Sequence, residues 1–409
     1  MGRKILILIM VFCLFLAITS CSFDKTNSSS SNSVATLTKP VETLTKPVTT
    51  LAQEDKSEII LSSGTVPNEL RIVGVKDAKN FYCFTNNNKN IIIYNVENRS
   101  KTVLVSTMSP EKYIKSICAN ENWIVWAEDE VQIEDDFSNE KNWSVYAKNL
   151  KTQELLEIDR YKEIKLEPAS ISKKIEPAEF SIYDDKIVYN CYDVLKGKIV
   201  CAVIKLYNLS KKTLEIIDSN KNYADGFYSY PKIYKNTITW SLSKCKLDDY
   251  SEKGSIYTYD LNSKEKKIIT SGNDILWPYI YQNYIAARVK PNGQNENSSI
   301  VLLDINDGKH KWNTVVSSKS TIYKDSIHHI EIGMPVISGS YLIWQDNIRN
   351  CAGVYDYVNK KTYKLSERSN ESEFSGVIGI FKNIIFWYET SNKGNLQASV
   401  TKYAVLKDK

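Results

Sequence analysis

One short phrase of sequence returns along the chain and limits what it can fold into. It is an apolar run closing on Asn or Asp: IIIYNV (91–96), VYAKNL (145–150), IKLYNL (204–209), IYTYDL (256–261), IVLLDI (300–305) and GVYDYV (353–358). VTKYAV (400–405) is a degenerate seventh copy with Ala404 in the polar position. With Asn95, Asn149, Asn208, Asp260, Asp304, Asp356 and Ala404 taken as equivalents, the intervals are 54, 59, 52, 44, 52 and 48 residues. A period near fifty that holds four short strands is the pattern of an all-β propeller with antiparallel blades.

The stretch 335–365, PVISGSYLIWQDNIRNCAGVYDYVNKKTYKL, shows the unit most fully, as β runs separated by Gly-Ser and Asn-Lys turns. The second run of each unit is apolar on consecutive residues: NFYCFT, NWIVWA, KIVYNC, TITWSL, YIAARV, LIWQD and IIFWYE. A strand packed on both faces needs no alternation, so these runs predict blades stacked face to face. Trp126, Tyr189, Trp240, Trp344 and Trp387 are then expected between blades. The seventh unit has no fourth strand, but EIILSS (58–63) resembles outer runs such as KTVLVS (101–106) and KKIITS (266–271). The expectation is a seven-bladed propeller closed by this N-terminal strand, which would hide an exposed sheet edge. A six-bladed ring with an irregular extra segment is the alternative.

The composition agrees with a β fold. Aromatics make up 11% of the chain, led by 26 Tyr, a residue that favours half-buried pleated surfaces. The formal charge of +5 includes Arg3 and Lys4; without those two it is +3, interspersed and too small for a nucleic-acid surface.

GMPVISGSYLIWQDNIRN…GVYDYVNKKTYKL resembles the bacterial TolB-like propeller repeat, PxISGDxIVWxDxRNGxxDIYxYDLxTxxxxxIT. Weaker copies lie at YPKIYKNTITW…IYTYDLNSKEKKIIT and WPYIYQNYIA…IVLLDINDGK. The resemblance implies a propeller that binds partners and carries no catalytic residues in its repeats. LDINDGKHKW (303–312) also resembles the tryptophan-docking turn of quinoprotein propellers, through Asp304, Gly308 and Trp312. It occurs once and reads as a packing turn, so no cofactor is expected.

Residues 1–20 read as a secretory signal, with Arg3 and Lys4 ahead of the apolar run Ile5–Ile18. Ile18-Thr19-Ser20-Cys21 is similar to a bacterial lipobox, which implies that Cys21 carries lipid and anchors the chain at the extracytoplasmic membrane face. Residues 21–57 include four consecutive serines and the tandem TLTKPVE–TLTKPVT, the composition of a disordered tether ahead of a propeller at 58–409.

Long connections fall between second and third strands or between blades: 128–142, 159–178, 218–229, 245–254, 290–299 and 315–333. Both kinds emerge on one rim of a propeller, which makes that rim the expected binding face. Phe227, Tyr228, Tyr230, Trp277 and Tyr279 flank Pro231 and Pro278 at the start of first strands and are the candidate ligand contacts near the channel.

Other clusters read as structural. Glu128, Asp129, Glu130, Glu134, Asp135 and Asp136 lack the spacing of a calcium loop and are expected to be a solvated charged loop. His328 and His329 would point to opposite sides of a strand, so no metal site is expected. Cys191 and Cys201 would face each other if Leu195-Lys196-Gly197 forms a three-residue turn, which permits a disulfide; a two-residue turn would pair Cys191 with Ala202.

Together these readings favour a non-catalytic, membrane-anchored lipoprotein that binds a protein or envelope polymer. The alternatives are a carbohydrate-active enzyme with a carboxylate pair over the channel, and an assembly subunit of a larger surface complex.

Overall fold

The computed structural model describes residues 55–129, 143–160, 179–195, 198–220, 226–245, 252–289, 297–307, 311–319, 321–322, 329–330, 332–347, 350–366, 374–393 and 396–407. Cys21 and the tether up to residue 54 lie outside them. Among the described residues no helix is long and apolar enough to cross a membrane.

Seven four-stranded antiparallel sheets form the blades of a propeller. In blades 1 to 6 the strands follow chain order, and each first strand neighbours the first strands of adjacent blades around the ring. Blade 7 is built from Phe374–Phe381, Ile384–Lys393 and Leu396–Leu406, and Ile60–Val66 supplies its outermost strand. The ends of the chain therefore meet in one sheet, with Gly64 opposite Tyr403 and Val66 opposite Thr401. Ahead of that strand, Asp55 caps the helical turn Lys56–Glu58, and Lys56 Nζ donates to the Leu365 carbonyl at 3.0 Å.

The core consists of seven apolar clusters, one at each blade interface. The consecutive apolar runs follow from this arrangement. Along Trp123–Asp129, Ile124 and Trp126 enter the cluster shared with blade 1, while Trp123, Val125 and Ala127 enter the one shared with blade 3. Trp126, Tyr189, Trp240, Trp344 and Trp387 are all buried, each packed toward the preceding blade. Trp312 lies between blades 4 and 5, a packing role; Gly308 is outside the described residues.

The repeated Asn or Asp is a turn-forming residue. Asn95 Oδ1 accepts from the backbone N–H groups of Glu97 and Asn98, and Asp260 Oδ1 from those of Asn262 and Ser263. Asn149 and Asp356 repeat the pattern. Such a side chain mimics a backbone turn and closes the hairpin between third and fourth strands. The fourth residue after it is left-handed in five blades, at Arg99, Gln153, Lys212, Lys264 and Lys360.

Three expectations need correction. The segment 245–254 is not all loop, because the second and third strands of blade 4 stay paired out to Cys245 opposite Glu252. Glu128 and Asp129 are buried at the end of a strand, not solvated; the acidic residues after them lie outside the described ones. Cys191 is opposite Val203, and Cys201 is opposite Asp193. The hairpin closes with Leu195 opposite Lys198, the two-residue turn, and a bulge at Asp193/Val194 moves the register one residue further. The two cysteines are therefore diagonal neighbours and not directly opposed.

Candidate binding site

The site begins with a shared irregularity of the first strands. In blade 1 the ladder skips Val73, in blade 2 Lys115 and in blade 7 Ile378, so each first strand carries one residue more than its partner strand. In blade 4 Tyr230-Pro231 faces a gap of one residue between Ser241 and Thr239, and in blade 5 Trp277-Pro278 does so between Arg288 and Ala286. Blade 6 shows the same surplus between Ile332 and Val336. An extra residue in an antiparallel pair stays out of the ladder and re-aims its side chain. Because these are the innermost strands, the bulges form a belt around the throat of the ring.

Tyr230 and Trp277 differ from the other bulge residues. Their φ angles are 55° and 57°, whereas Val73, Lys115 and Ile378 are not left-handed. Bulky residues are rare in that region, and each also precedes a proline, which restricts its backbone further. Such conformations cost about 1–3 kcal/mol each and persist where the surroundings impose them. The two rings meet at 5.5 Å between centroids, tilted by 55°. The Arg288 guanidinium stacks on the Trp277 ring at 4.6 Å, and the backbone N–H of Trp277 donates to Ser241 Oγ at 2.9 Å. Both aromatic side chains remain half-buried.

The remaining candidates separate into two groups. Tyr279 is half-buried, packed against the core between blades 5 and 6, with the Lys232 ammonium 5.2 Å from its ring centre. Phe227 is half-buried at the outer end of the same strand as Tyr230, opposite Ser243. Tyr228 does not belong, because it is 6% exposed and packs edge-on against Trp240 in the core between blades 3 and 4. Tyr228 and Tyr230, two residues apart, would share a face in a regular strand, and the bulge at Tyr230-Pro231 is what separates them.

Glu179 and Lys232 were not singled out by sequence. Glu179 directly precedes the first strand of blade 3, Phe180–Tyr183, and Lys232 lies in the first strand of blade 4. Glu179 Oε2 and Lys232 Nζ are 3.6 Å apart. Burial pushes the Glu179 carboxyl above its ordinary range even though Lys232 opposes the shift. The side chain as a whole is 32% exposed, but its Oε2 atom is closed to solvent. Burial also raises the nearby Cys118 thiol, again opposed by Lys232. The only sequence trace of this pair is the correspondence of Tyr-Pro-Lys (230–232) with Trp-Pro-Tyr (277–279).

Among the described residues, no group of three or more His, Cys, Asp and Glu side chains is placed to hold a metal ion. The first strands of blades 4 and 5 and the residue ahead of blade 3 thus offer a tilted aromatic pair, a further tyrosine, a carboxylate and an ammonium.

No family model and no curated protein sequence matches this chain. The β-propeller domain of the trilobed protease from Pyrococcus furiosus is similar, with a TM-score of 0.51 at 11% identity, over 82% of this chain and 95% of that one. A prolyl endopeptidase gives 0.56 at 10% identity over 83% of this chain, which spans only 46% of the peptidase. TolB from Acinetobacter baumannii gives 0.38 at 12% identity, over 73% and 64% of the two chains. At these identities the likeness defines the class of fold, a β-propeller, and nothing about its activity.

Proposed function

We propose that this protein is a membrane-anchored, extracytoplasmic lipoprotein whose propeller binds a protein or envelope-polymer partner without catalysing a reaction. Lipid on Cys21 would hold it at the membrane, and a tether from Cys21 up to residue 54 would set the propeller at a distance from it. The observation that carries the binding reading is the Tyr230–Trp277 pair. Two strained, half-buried aromatics meet on adjacent innermost strands, at the level where the first strands bulge. Aromatic anchors of this kind commonly dominate binding energy. For the carbohydrate-active enzyme considered above, Glu179 would need a second carboxylate within reach, and the charged group that faces it is Lys232.

The test is retention of the purified protein on envelope material from a strain lacking it. Trp277→Gly and Tyr230→Gly remove the rings at positions where glycine adopts the backbone without strain. Each should lower retention at least about tenfold. Lys235→Asn and Lys360→Asn lie in turns of the opposite face and suit the left-handed backbone; they should leave retention unchanged. Retention lost in the turn variants but kept in the aromatic ones would overturn the assignment.

A further inference from the structure

The geometry points to a neutral sugar unit as the throat's ligand: we propose that Glu179 and Lys232 grip two neighbouring hydroxyls of one pyranose ring while Tyr230, Trp277 and Tyr279 pack against its C–H surface. This rests on the reading above that the throat is the binding site, and it names the chemical class of what binds there.

The charged pair supplies the first argument. At 3.6 Å, Glu179 Oε2 and Lys232 Nζ are beyond ordinary hydrogen-bond length, and Oε2 accepts no hydrogen bond from the protein. A carboxylate accepts and an ammonium donates, so together they match a diol, in which one hydroxyl donates to Glu179 and its neighbour accepts from Lys232. Glu179 keeps 32% of its side-chain surface exposed and Lys232 17%, while Oε2 itself is shielded, so the donating hydroxyl would enter by parting the pair.

Charge then narrows the class. An anion drawn to Lys232 would lie almost as close to the Glu179 carboxylate, and attraction and repulsion of unit charges at similar distance nearly cancel. A cation drawn to Glu179 meets Lys232 in the same way. Hydroxyl groups incur neither penalty and still gain charge-assisted hydrogen bonds, which are roughly twice as strong as neutral ones.

The surroundings supply the second, independent argument. Lys232 leans over the Tyr279 ring, and the Tyr230–Trp277 pair stands on the two strands that carry Lys232 and Tyr279. A pyranose has polar edges and apolar faces, and amphipathic aromatics match that division. A protein loop entering the throat is the competing occupant, and the experiment separates the two.

Purified full-length protein is titrated with the methyl glycosides of glucose, galactose, mannose and N-acetylglucosamine, and with glucuronate and glucosamine as charged counterparts. Saturation-transfer NMR and tryptophan fluorescence report binding. At least one neutral glycoside should bind, and more tightly than either charged sugar. Glu179→Gln and Lys232→Met should each weaken it at least about tenfold, with an unchanged melting temperature. Lys232→Arg, which keeps a donor and the charge, should retain part of the binding. If no neutral glycoside binds, if a charged sugar binds better, or if binding survives both substitutions, the sugar assignment falls. Envelope retention that is lost in Trp277→Gly and abolished by protease treatment of the envelope would then keep the throat as the site and replace the sugar with a protein.

Discussion

Ring closure by the N-terminal strand should be measurable as stability. Deleting residues up to 54 removes none of the described residues and should leave the fold intact, whereas deleting up to 66 removes Ile59 and the whole strand Ile60–Val66. Ile59 is 1% exposed in the cluster between blades 6 and 7, and Val66 is 3% exposed in the cluster between blades 7 and 1. Burying two such side chains contributes about 3–6 kcal/mol in total. The longer deletion also breaks the bond from the Lys407 N–H to the Ile59 carbonyl and bares the edge of Leu396–Leu406. Against a total stability of about 5–15 kcal/mol for a typical domain, that loss should leave the ring barely folded and prone to edge-to-edge association. Ile59→Ala is the milder version, at about 2–5 kcal/mol. At roughly 2–4 °C per kcal/mol for a large domain, it should lower the melting temperature by about 4–20 °C. Calorimetry and light scattering on the chain starting at 55, the chain starting at 67 and full-length Ile59→Ala give the comparison. If all three melt within about 2 °C of the full-length protein, the strand does not close the ring and the reasoning fails.

Three further outcomes follow from other parts of the molecule. Gly353 lies opposite Trp344, and an added Cβ would come within 2.3 Å of its indole; Gly353→Ala should therefore destabilise the fold by about 1–3 kcal/mol in urea unfolding, and an unchanged midpoint would count against the packing described. Glu128 is buried and its carboxyl is raised by burial, although it accepts from Trp126 Nε1 and the Met108 N–H. Its linkage stabilisation is thus full below the ordinary carboxylate value and is lost as pH rises through the higher folded value. The stability of wild type relative to Glu128→Gln should improve as pH falls from 7 toward about 4.3, and a pH-independent difference would refute the shift. Cys21→Ser should abolish lipid labelling and release the protein from the detergent phase; unchanged labelling would refute the proposed anchor.

The sequence by itself determined the architecture, because the features that specify it are local. A hairpin turn needs a side chain that caps its own backbone, so Asn95, Asp260 and Asp356 mark the third strand of each blade without knowledge of neighbours. A strand packed on both faces needs an unbroken apolar run, so NFYCFT and IIFWYE were legible as second strands and Trp387 as core. The outer strand at the N-terminus was legible by likeness to the other outer strands. Side-chain direction was decided only by the tertiary structure. One extra residue in a first strand reverses which side each later residue faces, and no local signal fixes where that residue sits. This is why Tyr228 was placed with Tyr230 in the sequence reading but lies in the core; for Cys191 and Cys201 a two-residue turn and a bulge in the second strand together set the register. The pairing of Glu179 with Lys232 joins residues from different blades across the ring interface, a distance in sequence that only the closed propeller removes.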